Sequence, residues 1–256
     1  MKSSIEYIAN FKTTIDPYNG ITIDKDSYSS LADDFEKNIK FLIEETKSNK
    51  NLIWIYVDIK NSHLIPILTN LGFTFHTCFK EYLMLVKVLK DGAIVPNLAN
   101  HTLGVGAVVI NSKNEILLIK EQLRDQFFKL PGGHVDDAEM ISSALSREVY
   151  EETGIVVELE KVVSLGHFYP HQFGKSNFYI LCLAKAKSNK IDIKDKAEIK
   201  EAIWLNIDEM FKKDDIHLYT KTIVKSALNE SGLYKAQTPI LSHIKNEFEL
   251  YFLNYT

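Results

Sequence analysis

At 256 residues and a net charge of −4, from 30 basic and 34 acidic side chains, the chain is long enough for one large domain or two modest ones. It lacks the basic excess that binding nucleic acid or an anionic membrane calls for, so no nucleic acid and no membrane are expected as partners. The two cysteines, Cys78 and Cys182, sit in apolar strand-like stretches without metal-ligand spacing, which implies buried free thiols in a reducing compartment. No run approaches the ~20 apolar residues that span a bilayer, and the first residues hold no apolar signal core, so the expectation is a soluble cytoplasmic protein.

Residues 1–95 read as one α/β unit. A short strand covers 20–24. A helix follows over 29–48, where Leu31, Phe35, Ile39, Leu42 and Ile43 keep helical spacing and Ser29 or Ser30 is placed to cap it. LIWIYVDI at 52–59 is a buried strand, Ser62 caps a short helix to Leu71, and Gly72 ends it. Phe73 opens the next strand and EYLMLVKVL at 81–89 the last, a β-α-β-α-β-β order that suits layered packing. DGAIVPNLANH at 91–101, with Pro96, reads as a linker. From 96 to 256 the strands expected are 105–110, 115–121, about 157–165, 178–186 and 202–207, with LPGGHV leading into a helix after the second. The tail from about Tyr219 reads as one helix and an extended piece.

The helix after LPGG carries the chemistry. In GHVDDAEMISSALSREVYEETGI, residues 133–155, Glu148, Glu151 and Glu152 stand at i, i+3 and i+4 and therefore share a helix face. They repel one another by a few tenths of a kcal/mol per pair. They also crowd the last turn before Gly154, the expected C-terminal cap, where the helix dipole disfavours anions. A sequence shaped for stability alone would not do this, and a hard divalent cation, Mg²⁺ or Mn²⁺, is the simplest compensation. Arg147 lies four residues before Glu151, in ion-pair range. Glu139 falls near the helix start, where an anion is favoured and its role is orientation and capping. Gly132 and Gly133 let the backbone pass close to metal or phosphate.

This stretch resembles the Nudix box, G-x5-E-x7-R-E-U-x-E-E-x-G-U with U apolar, and fills every specified position. The resemblance implies an α/β Nudix sandwich (α/β/α, mixed sheet) preceded by a smaller α/β domain. The helix–LGF–strand passage of residues 1–95 is similar to the C-terminal half of GNAT-type acetyltransferases, which also occurs as the pre-Nudix region of some family members. No Gly-rich loop in that unit is placed to cradle a pyrophosphate, so a dimerisation or scaffolding role is expected of it, within a homodimer.

The same resemblance assigns Glu148 and Glu152 as metal ligands, joined by Glu151 and the backbone carbonyl of Gly132. The chemistry implied is attack of water on a phosphorus of a diphosphate, with a glutamate as general base. Glu151, Glu152 and the outside candidates Glu198 and Glu201 are open for that role, with Arg147 in support. The order LGVGAVVI, FKLPGGHVD, HFYPHQFGKSNFYILCL over residues 50–207 looks like plant Nudix hydrolases acting on ADP-ribose and NADH, and their animal relatives. That implies a nucleoside diphosphate linked to another group, cut to two monophosphates. Lys175 and Ser176 of the FGKS tetrad would touch phosphate or ribose, and Phe168, Tyr169 or Phe173 would stack on a base, the alternative for these rings being ordinary packing. Ala138 and Phe128 depart from glycine and tryptophan common in relatives, at positions that bind no metal. Two other readings stay open: a different diphosphate substrate (capped RNA, an oxidised nucleotide, a dinucleoside polyphosphate) and a nucleotide-binding regulatory module. Isopentenyl diphosphate isomerase is set aside, since neither Cys78 nor Cys182 lies where its catalytic cysteine is needed.

Overall fold

The computed structural model describes residues 4–29, 34–123, 126–229, 231–235 and 251–253. These fall into two compact units, residues 1–99 and 100–256.

The first unit holds β1 (Ile5–Ile8), β2 (Phe11–Ile15), β3 (Gly20–Ile23), α1 (Lys25–Ser29), α2 (Phe35–Thr46), β4 (Leu52–Asp58), α3 (Ile65–Asn70), β5 (Thr74–Cys78) and β6 (Tyr82–Val88). Its sheet runs β1-β2-β3-β4-β6-β5, with β4 parallel to β3 and antiparallel to β6. The sequence pattern misses the β1–β2 hairpin because its turn uses Ala9 and Asn10, both at positive φ, where Asn-Gly is the usual signal. The expected helix over 29–48 starts later, at Phe35. Its apolar face, Phe35, Ile39 and Leu42, packs against Phe11, Ile23 and Ile55 of the sheet. Ser29 closes α1 instead of capping this helix, and Ser30 lies outside the described residues. The Ser62 cap is also corrected: a 3₁₀ turn covers Ile59–Leu64, and α3 begins after it with Pro66 in its first turn, where a missing N–H costs nothing. The start of the linker is packed. Ala93 and Val95 cover Leu52, Trp54 and Val86 on the sheet's second face, and the Pro96 carbonyl lies 2.9 Å from His76 Nε2. The two compact units divide between residues 99 and 100.

The second unit holds β7 (His101–Ile110), β8 (Glu115–Glu121), β9 (Gly132–His134), α4 (Ile141–Thr153), β10 (Val157–Phe168), β11 (Ser176–Ala186), β12 (Ile199–Asn206), α5 (Ile207–Lys212), α6 (Leu218–Ala227), β13 (Leu233–Lys235) and β14 (Tyr251–Leu253). The mixed sheet runs β12-β8-β7-β11-β10-β13-β14, with β7 parallel to β11 and β9 pairing β7 from off this path. Side chains alternate across it. Val105, Ala107 and Val109 face α4 through Ala144, Leu145 and Val149. Val108, Leu118 and Leu181 face α5 and α6 through Met210, Ile223 and Val224. The result is an α/β/α sandwich. The sequence reading overlooked α5, whose start is marked by Asn206 accepting the Asp208 N–H at 2.9 Å. Cys182 is buried as expected, whereas Cys78 is exposed at the end of edge strand β5; both are free.

Candidate active site

The site is built where the C-terminal half of α4 passes beneath the Gly132–Gly133 backbone. β9 is registered on β7 through Gly106↔Gly132 and Val105↔Gly133. A Cβ on Gly133 would stand 2.5 Å from the Glu148 carboxylate, and one on Gly132, at φ +144°, would strike the Val105 carbonyl at 2.2 Å. Both glycines are therefore demanded by close approach. Gly104 and Gly106 on β7 serve a related end: a side chain there would collide with the ring of Tyr179 on the neighbouring strand.

Each expected residue can be placed. Gly154 ends α4 in the left-handed conformation, its N–H on the Tyr150 carbonyl. Carbonyls of the last turn find further donors in the segment before β12: Asp192 N–H reaches Thr153 O at 2.8 Å and Asp195 N–H reaches Glu151 O at 3.0 Å. Arg147 is a hub. Its guanidinium donates to both oxygens of Glu139 at 2.9 and 2.8 Å, to Glu148 at 2.8 Å, to Glu151 at 3.2 Å and to the His134 carbonyl at 2.9 Å. Glu139 thus anchors Arg147, while the cap position Met140 has no side-chain bond. The hydrogen bonds from Arg147 hold the Glu139 carboxyl below its usual range.

Glu152 is 3% exposed and accepts the Gly132 N–H at 2.7 Å. Burial pushes its carboxyl up to about 8, against the opposing pull of Lys129 and the Gly132 N–H. Burial raises Glu148 as well, with Glu151 and Glu198 adding repulsion against the pull of Arg147. These hard, desolvated oxygens fit a divalent cation, which would supply the missing positive charge. Convergence is incomplete, however. Glu151 is half exposed and turned to Arg147, and among the described residues no three His, Cys, Asp or Glu side chains close into a metal cage.

Above this floor lies a cleft of about 690 Å³, walled by Glu121, Lys129, His134, His171, Gln172, Asn177, Tyr179 and Glu198. Glu198 is brought there by a turn in which Asp195 Oδ1 accepts its N–H at 3.0 Å. Glu201, by contrast, stands exposed on β12 opposite Lys120 and is not among the lining residues. The FGKS tetrad does not line the cleft either. Phe173 is fully exposed, Lys175 points outward, and the Ser176 N–H is spent on the Asn100 carbonyl at the start of β11. Their neighbours His171, Gln172 and Asn177 take the wall positions. Phe168 lines a second groove instead. Sequence reasoning missed Lys129 and Glu121, which form an ion pair, along with Tyr179 and His171. Lys129 was visible as a charge between Phe128 and Leu130, whereas Glu121, at the polar end of EILLIKEQ, Tyr179 and His171 had no such mark.

Comparison with known proteins agrees with this picture. A NUDIX domain model matches residues 100–225, and a Nudix hydrolase domain model matches residues 11–89. Nudix hydrolase 8 of Arabidopsis thaliana is 29% identical over 220 residues, 83% of this chain and 59% of that protein. Nudix hydrolase 2 of the same plant is 32% identical over 204 residues, 76% of this chain and 73% of the relative. The human nucleoside diphosphate-linked moiety X motif 6 is 29% identical over 224 residues, 84% of this chain and 71% of its own length. Among solved structures, a NUDIX hydrolase from Nitrosomonas europaea matches 49% of this chain and 86% of its own, at 29% identity and a TM-score of 0.42. The chain belongs to the Nudix hydrolases, pyrophosphatases that act on acid anhydrides.

Proposed function

We propose that this chain hydrolyses the diphosphate of a nucleoside diphosphate linked to a second group, with ADP-ribose and NADH the leading substrates and two monophosphates the products. One observation supports it above others: the part-buried Glu148 and buried Glu152 carboxylates lie directly under the Gly132–Gly133 backbone, at the floor of a cleft also walled by Lys129 and Glu198. Glu148, Glu152 and Glu151, with the Gly132 carbonyl, are the groups that would hold Mg²⁺ or Mn²⁺. When bound, the cation would neutralise phosphate oxygens and lower the pKa of an attacking water.

The chain's own side chains supply the rest. Lys129 offers a positive charge to a phosphate oxygen in the cleft. Arg147 keeps Glu148 and Glu151 oriented. Glu198, facing the same cleft, is the candidate base, in preference to Glu201. Lys175, Ser176 and Phe173 lie outside the lining of the cleft and could reach substrate only by moving. The chain is expected to act as a cytoplasmic homodimer on small molecules; no helix among the described residues is long and apolar enough to cross a membrane. Light scattering would test the dimer.

The deciding experiment is a Mg²⁺-dependent panel: ADP-ribose, NADH, NAD⁺, a dinucleoside polyphosphate, 8-oxo-dGTP and capped RNA. Preference for ADP-ribose or NADH, abolished by EDTA, is the expected result. Turnover of another member would replace the substrate, and inactivity of folded protein across the panel would overturn the hydrolase reading.

A further inference from the structure

Two histidines meet at one end of the second unit's sheet. His101 opens β7 and His167 is the last residue but one of β10, and their Nε2 atoms lie 3.0 Å apart across β11, with ring centroids at 5.0 Å. Strand alternation puts both on the α4 face: His101 stands two residues before Leu103, and His167 pairs with Phe178, and Leu103 and Phe178 both pack on the core of that face. Neither histidine lines the cleft. We propose that the pair binds an imidazole-preferring divalent transition metal, of the Cu²⁺, Ni²⁺ or Zn²⁺ class, at a site separate from the carboxylates of the box helix.

Three features point to a metal. The first is spacing. Two nitrogens bound at about 2.0–2.1 Å to one cation are about 2.9 Å apart at a right angle and about 3.4 Å apart at the tetrahedral angle. The observed 3.0 Å falls inside that span, so neither strand has to move. The second is the tautomer of His101. Asn100 Oδ1 lies 2.6 Å from its Nδ1. An amide oxygen only accepts, so Nδ1 carries the proton and Nε2 presents a lone pair toward His167. Metal-binding imidazoles are usually oriented in this way, by an oxygen on the other ring N–H. Without metal, the His167 Nε2–H donates to that lone pair. On binding, the neutral His167 ring carries its proton on Nδ1 instead, and both Nε2 atoms face the cation. The third is access: both rings are exposed, so water or an outside ligand can fill the remaining coordination positions. Imidazole suits Cu²⁺, Ni²⁺ and Zn²⁺, whereas carboxylate oxygens suit Mg²⁺ and Mn²⁺, so the two sites sort different metals. A bound ion would fasten the start of β7, whose Gly104 lines the cleft, to the end of β10, where the chain leaves for His171 and Gln172 of the cleft wall.

Titration with Cu²⁺ tests this. The full chain is first saturated with Mg²⁺, which occupies the carboxylate site, and Cu²⁺ binding is then followed by electron paramagnetic resonance and by Tm. Wild type should bind one Cu²⁺ tightly, with splitting from two nitrogens, and gain in Tm as a ligand of the folded state must provide. His101→Ala and His167→Ala should each lose the two-nitrogen signal and the gain in Tm, and bind about tenfold or more weakly, at least the loss that removing an outer partner of a metal ligand causes. His101→Gln and His167→Gln serve if an alanine variant unfolds. Asn100→Ala keeps both ligands and should still weaken binding about tenfold, because the orienting oxygen is gone. A wild-type spectrum with fewer than two nitrogens, or affinity unchanged in both histidine variants, overturns the site. So does a loss that follows His134→Ala or His171→Ala instead, which would place the metal in the cleft.

Discussion

The Glu152 carboxylate accepts the Gly132 backbone N–H at 2.7 Å while almost wholly buried, so one side chain ties the box helix to the loop it serves. Glu152→Gln retains an acceptor for that N–H and removes only the charge. Its fold should survive, with Tm within a few degrees of wild type, while kcat falls on the order of 10³-fold, as for groups that act directly at the reacting centre. Near-normal turnover in this variant would remove Glu152 from the metal site.

The same burial gives the metal-free protein an unusual pH dependence. In the folded state the Glu152 carboxyl is pushed up to about 8, whereas in the unfolded chain it titrates near the ordinary glutamate value of 4.5. Between those values the folded state holds a proton that the unfolded state has released, so stability must fall as pH rises through the window. In EDTA, Tm should decline from pH 5 to pH 8, and Glu152→Gln should flatten the decline. Added Mg²⁺ should raise Tm more at pH 8 than at pH 6, because binding requires the deprotonated carboxylate. A flat metal-free profile in wild type would contradict the burial argument.

The adjacent glycines should respond differently to alanine. At Gly133 the new methyl meets the far end of the flexible Glu148 side chain. That carboxylate can swing away, so Gly133→Ala should fold but lose about 10- to 100-fold in metal-dependent kcat. At Gly132 the methyl meets the backbone of Val105 and Gly106, and φ is +144°. Gly132→Ala should therefore cost roughly 2 kcal/mol or more of stability. Paired thermal melts and initial rates distinguish the two, and equal melting of both variants would refute the assignment.

Much of this was legible in the sequence, and what was hidden has physical reasons. The box fixes helix α4, its Gly154 cap and the acidic face because each depends on near neighbours in the chain. Alternation and turn residues locate most strands of the second unit. The Ala9–Asn10 turn hides a hairpin because alanine is an unusual residue at positive φ. Nothing local distinguishes Glu198 from Glu201. A turn around Asp195, fastened to the Glu151 carbonyl, selects between them. The FGKS tetrad drew attention by its composition, yet strand pairing gives the wall position to Asn177, one residue beyond it, because side chains alternate along β11.

Arg147 is expected to be irreplaceable by lysine. Its planar fork donates to both Glu139 oxygens while its other N–H group reaches Glu148 and Glu151, a set of bonds a lysine ammonium cannot reproduce. Arg147→Lys and Arg147→Ala should each lower kcat at least about tenfold and cost roughly 1–3 kcal/mol of stability, the usual range for a charged hydrogen-bonding group lost from a partly buried network. A lysine variant with wild-type rates would reduce Arg147 to a simple charge.

Glu198 and Glu201 provide the sharpest comparison, since they lie three residues apart and only one lines the cleft. Repulsion from Glu198 is felt at both Glu148 and Glu152, so its charge belongs to the same electrostatic cluster. Glu198→Gln should lower kcat about 10²-fold or more if it takes the proton from water, and should alter the acidic limb of the kcat profile. Glu201→Gln, made on an exposed strand position opposite Lys120, should stay within about twofold of wild type and within about 0.5 kcal/mol in stability. Were both variants fully active, the base would have to come from the box itself, with the half-exposed Glu151 next in line. Were Glu201→Gln the damaged one, the path of the chain before β12 would have to differ in the working enzyme.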